Sequence, residues 1–357
     1  MQIDLIKTIL PLIVSFIIGM SLTPILTNFL YSHKMWKKKV KSTAFDGGGT
    51  PIFNSLHAEK EVSTPRMGGI IIWVSAIATT LFFWILGIFF PDTIFSKLDF
   101  ISRGQTWIPL FVLAFGALVG LVDDLLEVKG MGGNYAGGLS LRKRLALVGI
   151  ISFLIGLWFH YKLDVSSISI PFAGSIDLGA WFILIFIAVV ILIYSGGIID
   201  GIDGLSGGVF GVMFAAYGFI AFFQNQINLA AFCTAIVGAT LAFLWFNIPP
   251  ARFYMSETGS MALTITLAIV AFMTDSLGDG RGMVVLPIIA LPLLVTTASS
   301  IIQVLSKKIR GKKVFLIAPL HHHFEAKGWP GYKVSMRYWV VSLICAFFGV
   351  IIALIKL

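Results

Sequence analysis

Residues 107–126 read WIPLFVLAFGALVGLVDDLL, and Asp123 and Asp124 are the only charged residues among the twenty. A helix rises about 1.5 Å per residue, so twenty residues reach about 30 Å, the thickness of a bilayer's hydrocarbon core. The stretch is therefore a membrane-spanning helix that ends in an acidic pair. Charge at membrane depth is costly and marks a place where chemistry is done.

The whole chain has the same character. Of its 357 residues, 57% are hydrophobic and 12% charged, with a mean hydropathy of +0.94, whereas soluble domains carry about 25% charged residues. Ten spans are expected, at 5–30, 67–90, 107–126, 145–161, 181–199, 205–223, 230–248, 259–274, 283–305 and 338–356. The first, from Leu5 to about Leu30, has no preceding basic region and no A-x-A site, so it is expected to be retained. No internal repeat, low-complexity tract or long linker divides the chain. The expectation is one all-α integral membrane protein over 1–357, a bundle of about ten transmembrane helices. Cys233 and Cys345 lie in apolar runs and imply no disulfide framework.

The net charge of +9 does not point to nucleic acid here, because the basic residues fall in short loops. Ten spans sort those loops into two sets. Loops 31–66, 127–144, 200–204, 249–258 and 306–337 hold 20 of the 26 Lys and Arg. Lys7, Lys97, Arg103, Lys162, Arg281 and Lys356 make up the rest. Basic residues beside spans stay in the cytoplasm, which makes the first set cytoplasmic and both termini extracytoplasmic.

Every acidic or histidine cluster falls on that same side. Asp123 and Asp124 are expected at a water-facing helix end, where one could meet a cation and the other handle a proton. Asp200 and Asp203 stand in IIDGIDGLSGG, Glu257 in FYMSETGS, and His321, His322 and His323 in PLHHHFEAKGW. On a helix, Asp200 and Asp203 would share a face. Several carboxylates around one point need a cation, and hard oxygen donors suit magnesium. Three successive histidines cannot easily ligate one ion, since helical neighbours point about 100° apart. The plainer readings of these residues are a solvated helix end, Asp-Gly turns, a first-turn acid on a helix dipole and a histidine-rich turn.

The motifs STPRMGG (63–69), VDD (122–124), DGIDGL (200–205), WFNIPPARFYMSETGS (245–260) and PLHHHFEAKGW (319–329) resemble the polyprenyl-phosphate N-acetylhexosamine-1-phosphate transferases. PLHHHFE followed by KGW is most similar to their MraY family, the phospho-N-acetylmuramoyl-pentapeptide transferases. The resemblance implies ten spans, a homodimer, a magnesium-dependent cytoplasmic site and a place in the bacterial inner membrane. It implies transfer of phospho-MurNAc-pentapeptide from UDP-MurNAc-pentapeptide to undecaprenyl phosphate, giving lipid I and UMP in peptidoglycan synthesis. By motif, Asp123 is then the candidate base, Asp124 its catalytic neighbour and a metal ligand with Glu257, and His321 an organiser of phosphates. Lys129, Asp200, Asp203, Asn247, Tyr254, His322 and His323 would bind substrate, with Arg142, Lys143 and Arg144 adding positive charge.

Three positions depart from the family pattern. Gly197 stands where it has Asn, Arg66 replaces the second Thr of TPTMGG, and Met255-Ser256-Glu257 replaces MGD. Two other readings remain beside the main one: a sister transferase that moves GlcNAc-1-phosphate or a similar group, and an ion-coupled transporter whose carboxylates carry protons or sodium. The acids gather at span ends on one face, which disfavours alternating access.

Overall fold

A computed structural model describes residues 1–38, 49, 51–131, 138–170, 174–276 and 281–355. Lys39, Lys41 and Lys356, counted above, lie outside the described residues. In chain order the elements are α1 (Gln2–Ser32), α2 (Pro51–Glu61), α3 (Ile70–Phe89), α4 (Ile94–Leu98), α5 (Trp107–Lys129), α6 (Leu141–Lys162), β1 (Ser167–Ile170), β2 (Gly174–Asp177), α7 (Trp181–Ser195), α8 (Leu205–Phe223), α9 (Ile227–Asn247), α10 (Ser256–Ser276), α11 (Leu286–Ile289), α12 (Leu291–Arg310), α13 (Leu320–Ala326) and α14 (Gly331–Leu354). A 3-10 turn, Gly196–Ile199, prolongs α7. β1 and β2 form a short antiparallel hairpin with Ser167 opposite Asp177, the one departure from an all-helical chain among the described residues.

Among the described residues, nine helices are long and apolar enough to cross a membrane: α1, α3, α5, α6, α7 with its 3-10 turn, α8, α9, α10 and α14. The chain is a multi-pass membrane protein. The stretch expected to span at 283–305 differs from the other nine, because it breaks at Ala290 into α11 and α12. Pro292 opens α12, and proline has no N–H to donate and its ring clashes with the carbonyl four residues back. α12 turns Leu291, Val295, Ile301, Ile302 and Leu305 outward and buries Thr296, Thr297, Ser299 and Gln303. Apolar outside and polar inside is the arrangement of a helix surrounded by lipid.

The most buried span is α10, which packs against α5, α7 and α8. Its closest neighbour is α5, through Gly116 and Gly120, four residues apart. A Cβ on Gly120 would sit 2.2 Å from the carbonyl oxygen of Glu257, and one on Gly116 would sit 3.0 Å from the Cα of Ala262. Small residues at this spacing let helix backbones approach where apolar burial gives helices no advantage over lipid. The approach sets α5, carrying Asp123 and Asp124, against the amino end of α10. Gly120→Ala is expected to lower stability by about 1–3 kcal/mol through overpacking, read as a lower thermal midpoint in detergent. An unchanged midpoint would mean that the two helices part without cost.

Candidate functional site

The amino end of α10 meets α5 and the 200–204 turn, and its first backbone amides need acceptors. Asp200 Oδ2 accepts from Ser256 N at 2.7 Å. Asp124 accepts from Glu257 N at 3.3 Å and from both Thr258 N at 2.9 Å and Thr258 Oγ1 at 2.6 Å. Two carboxylates from elsewhere in the chain thus cap this helix, where the dipole favours negative charge. Ser256 holds φ of +58°, a left-handed conformation that costs a side-chain-bearing residue about 1–3 kcal/mol. Its amide bond to Asp200 helps keep it there.

Asp124 is fully buried and Asp123 nearly so, which corrects the expectation of a water-facing helix end. The pair divides its work. Asp123 accepts from Leu139 N through Oδ1, while its Oδ2 lies 3.7 Å from Arg144 Nη1. The same Nη1 donates to Glu257 Oε1 in a close ion pair, and Glu257 Oε2 has only a long contact, 3.4 Å, from Ser260 Oγ. Arg66 lies between acids, with Nη2 2.8 Å from Glu127 Oε2 and Nε 3.7 Å from Asp124 Oδ1. Burial works against the Arg66 charge, yet Glu127 and Asp124 beside it raise the guanidinium above its usual range. Lys37 continues the chain of charges, 3.1 Å from Glu127 and 2.9 Å from Glu61.

These contacts decide which oxygens suit a divalent cation. Magnesium usually takes one or two carboxylates and fills its octahedron with water and substrate phosphate. Asp124 Oδ2 already accepts two donors and Oδ1 a third, so its lone pairs are committed to the start of α10 and Asp124 does not fit the metal role expected of it. Among the described residues, Asp123 Oδ2 accepts no hydrogen bond and Glu257 Oε2 only the long one from Ser260 Oγ, so these two oxygens keep lone pairs that suit a cation.

Asp200 and Asp203 stand in a turn rather than on a helix and face different partners. Burial raises the Asp200 carboxyl above its usual range, against the pull of the Ser206 hydroxyl and the Ser256 amide. Asp203 Oδ2 pairs with Lys60 at 3.1 Å and accepts from Ala251 N at 3.3 Å. Asn247 clamps backbone on both sides: its Oδ1 accepts from Gly204 N at 2.9 Å and its Nδ2 donates to Phe253 O at 2.8 Å. Tyr254 is half-buried, and its backbone pairs with Pro65 and Gly68. Lys129, Arg142 and Lys143 are exposed and lie outside the buried cluster. A side chain at Gly197 would meet Ser260 and Thr264 only at ordinary contact, 3.6 Å and beyond, so packing does not demand glycine there.

The histidines separate. His321 and His322 are buried, and their Nε2 atoms would lie 2.5 and 2.8 Å from a Cβ on Gly201. Both therefore face the turn that carries Asp200 and Asp203. Neither ring nitrogen of His321 has a hydrogen-bond partner. Burial, with His322 and His57 nearby, holds its imidazole well below the usual range and so uncharged. His323 points elsewhere, its Nδ1 accepting from Leu316 N at 3.1 Å.

Five residues beyond the sequence expectation join the site: Lys37, His57, Lys60, Glu127 and Glu325. Glu127 stands just beyond the quoted VDD and Glu325 within PLHHHFEAKGW, whereas Lys37, His57 and Lys60 carry no local signal. A cleft of about 270 Å³ beside the histidines is lined by His57, Lys60, Asp203, Glu325, Trp329 and Tyr332. All five loops grouped by their Lys and Arg meet at this one end, through Lys37–Glu127, Lys60–Asp203, His57–Glu325 and Ala251–Asp203.

The family model described as glycosyl transferase family 4 matches residues 106–275, from the start of α5 to the end of α10. A phospho-N-acetylmuramoyl-pentapeptide-transferase of Geobacillus sp. is 34% identical over 352 residues, covering 96% of this chain and 97% of its own. Proteins of the same name from Levilactobacillus brevis, 34% identical over 84% of this chain and 87% of their own, and Listeria innocua, 35% identical over 83% and 86%, are similar too.

Asp124→Asn sets an amide beside the Glu257 and Thr258 donors in place of a charged acceptor. It is expected to cost about 1–3 kcal/mol and to speed hydrogen exchange at residues 256–258. Asp123→Asn should leave exchange at residues 256–258 nearly unchanged, and equal exchange there in the two variants would remove the capping role from Asp124.

Proposed function

The chain belongs to the phospho-N-acetylmuramoyl-pentapeptide transferase family, and we propose that it moves phospho-MurNAc-pentapeptide from UDP-MurNAc-pentapeptide to undecaprenyl phosphate, releasing UMP and forming lipid I. That it is a phosphosugar transferase follows from family membership. The donor, the acceptor and the site assignments are the proposal. The observation that carries it is the meeting of Asp123 and Glu257 on Arg144, with a buried, unpartnered His321 against the Gly201 turn at the same end of the spans.

Transfer between phosphates asks a protein mainly for positioning and neutralised charge. Asp123 takes the role of base on the lipid phosphate, held by Leu139 N and close to Arg144. Arg144 and Arg66 are fixed cations beside the reacting diphosphate. His321 and His322, facing the Gly201 turn, offer ring nitrogens to donor oxygens, and Asp203 with Lys60 borders the cleft that receives the rest of the donor. Asp200, Asp124 and Asn247 act by holding this frame. Glu257 would hold magnesium, which when bound supplies further neutralisation of phosphate charge, while Asp123 Oδ2 keeps its lone pair for the proton.

The polyprenyl chain needs an apolar surface reachable from the bilayer, which the outward faces of the spans provide. The excess of Lys and Arg in the loops that form the site supports a cytoplasmic orientation in a bacterial inner membrane. A homodimer belongs to the same reading.

Purified protein given UDP-MurNAc-pentapeptide, undecaprenyl phosphate and magnesium is expected to release UMP and form lipid I. Transfer from UDP-GlcNAc instead would move the chain to a sister activity. Glu257→Gln is expected to slow turnover by on the order of a hundredfold and to weaken the response to magnesium, with Glu257→Asp retaining more of both. Full turnover with an unchanged magnesium response in the Gln variant would exclude Glu257 as a ligand.

Orientation has its own test. A cysteine at position 312 should react only from the cytoplasmic side and one at 97 only from the opposite side. Labelling of both from one side would break the arrangement.

A further inference from the structure

Two imidazoles from distant parts of the chain meet on one carboxylate oxygen. Glu325 Oε2 lies 3.0 Å from His57 Nε2, on α2, and 2.7 Å from His322 Nδ1, on α13. The two rings stand 5.0 Å apart, with Phe53 edge-on to His322 at 5.3 Å. Burial works against ionisation of Glu325, but hydrogen bonds from His322 and His57, with their charge, hold its carboxyl at about 2. An ionised carboxylate can only accept, so each of these ring nitrogens carries a proton and donates it. With Nδ1 turned to Glu325, the opposite ring nitrogen of His322 is the one aimed at the Gly201 turn.

We propose that Glu325 is a positioning residue for the transfer reaction: it fixes the ring orientation of His322 so that Nε2 faces the Gly201 turn, and through His57 it anchors α2 at the same point. The inference rests on the functional reading above, in which His322 meets the donor's phosphates. A histidine with an anchored Nδ1–H presents one defined nitrogen to a ligand, and the carboxylate behind it favours the imidazolium that binds phosphate oxygen. Without Glu325 the ring could turn over and its charged form would lose its partner. The charged or titratable groups around Glu325 are His57 and Lys60 from α2, Asp203 from the turn, and His321 and His322 from α13. Lys60 is paired with Asp203, which leaves the imidazoles as the close partners of Glu325.

The test uses the full-length protein in micelles, with histidine ¹⁵N resonances assigned by comparison with His322→Gln. Glu325→Gln keeps the side-chain size and removes the charge. His322 is expected to titrate at least one pH unit lower in it, and the donor KM to rise about tenfold with a smaller change in kcat. The limb of the pH profile due to this histidine should shift in the same direction. If His322 titrates at the same pH in Glu325→Gln and in the unaltered protein, the proposal is overturned. Should Glu325→Gln not fold, His57→Gln examines the same oxygen from its other side. Loss of one donor leaves the carboxylate to His322 alone, so its titration should move upward, and no movement overturns the proposal. A displaced titration in a protein that transfers no phosphosugar would support the orientation and overturn only the functional reading.

Discussion

Everything at the functional end is referred to the amino terminus of α10. A helix begins with amides that have no partner within the helix, and in a buried position each needs an acceptor. Here Asp200 and Asp124 supply them, from a turn after α7 and from the last turns of α5. Two charged side chains that would be costly at this depth become acceptors for a helix end, and their charge suits its dipole. Because both acids serve one helix end, α5, the Asp200–Asp203 turn and α10 hold a fixed relation. Glu257, one residue beyond the first capped amide, inherits its position from them.

The departures from the family pattern gather around that frame. Glu257 and Ser256 are adjacent in α10's first turn, and Arg66 enters the same acids from the segment before α3. Glu257 reaches one methylene further than Asp and meets Arg144. Arg66 brings a guanidinium to Asp124 and Glu127 where a threonine would bring a hydroxyl. A buried ion network of this kind is weak as a source of net stability, since desolvation offsets attraction. Its effect is directional: Glu61, Lys37, Glu127, Arg66 and Asp124 hold one another in a single order, which ties the first loop to α5.

Histidines and carboxylates reach the site by different means. Asp123, Asp124 and Glu257 ride on the ends of long spans, whose positions the bilayer and the Gly120 contact impose. The histidines ride on α13, a short helix in a loop, and need an anchor of their own. Glu325, four residues beyond His321 on the same helix, meets His57 across the cleft and supplies one.

Much of this was legible in the residue order. Twenty-residue apolar runs cross a bilayer whatever their context, so nine spans followed from hydropathy. The excess of Lys and Arg grouped five loops that do come together. The tenth run was misjudged in form, because hydropathy does not register the break that Pro292 imposes. For the site, chemical identity was plain, since acids and histidines stand out in an apolar chain, but their division of labour was not. Asp123 and Asp124 are neighbours in sequence, yet one faces Arg144 and the other caps a helix more than a hundred residues away. Asn247, expected to bind substrate, also clamps two loops. His57 carries no local signal, and only folding sets it against Glu325. Sequence determines which groups exist and which segments must lie in lipid, because both are properties of local composition. Which lone pair accepts which hydrogen is decided only when distant backbones meet, because hydrogen bonds depend on distances that the chain order does not contain.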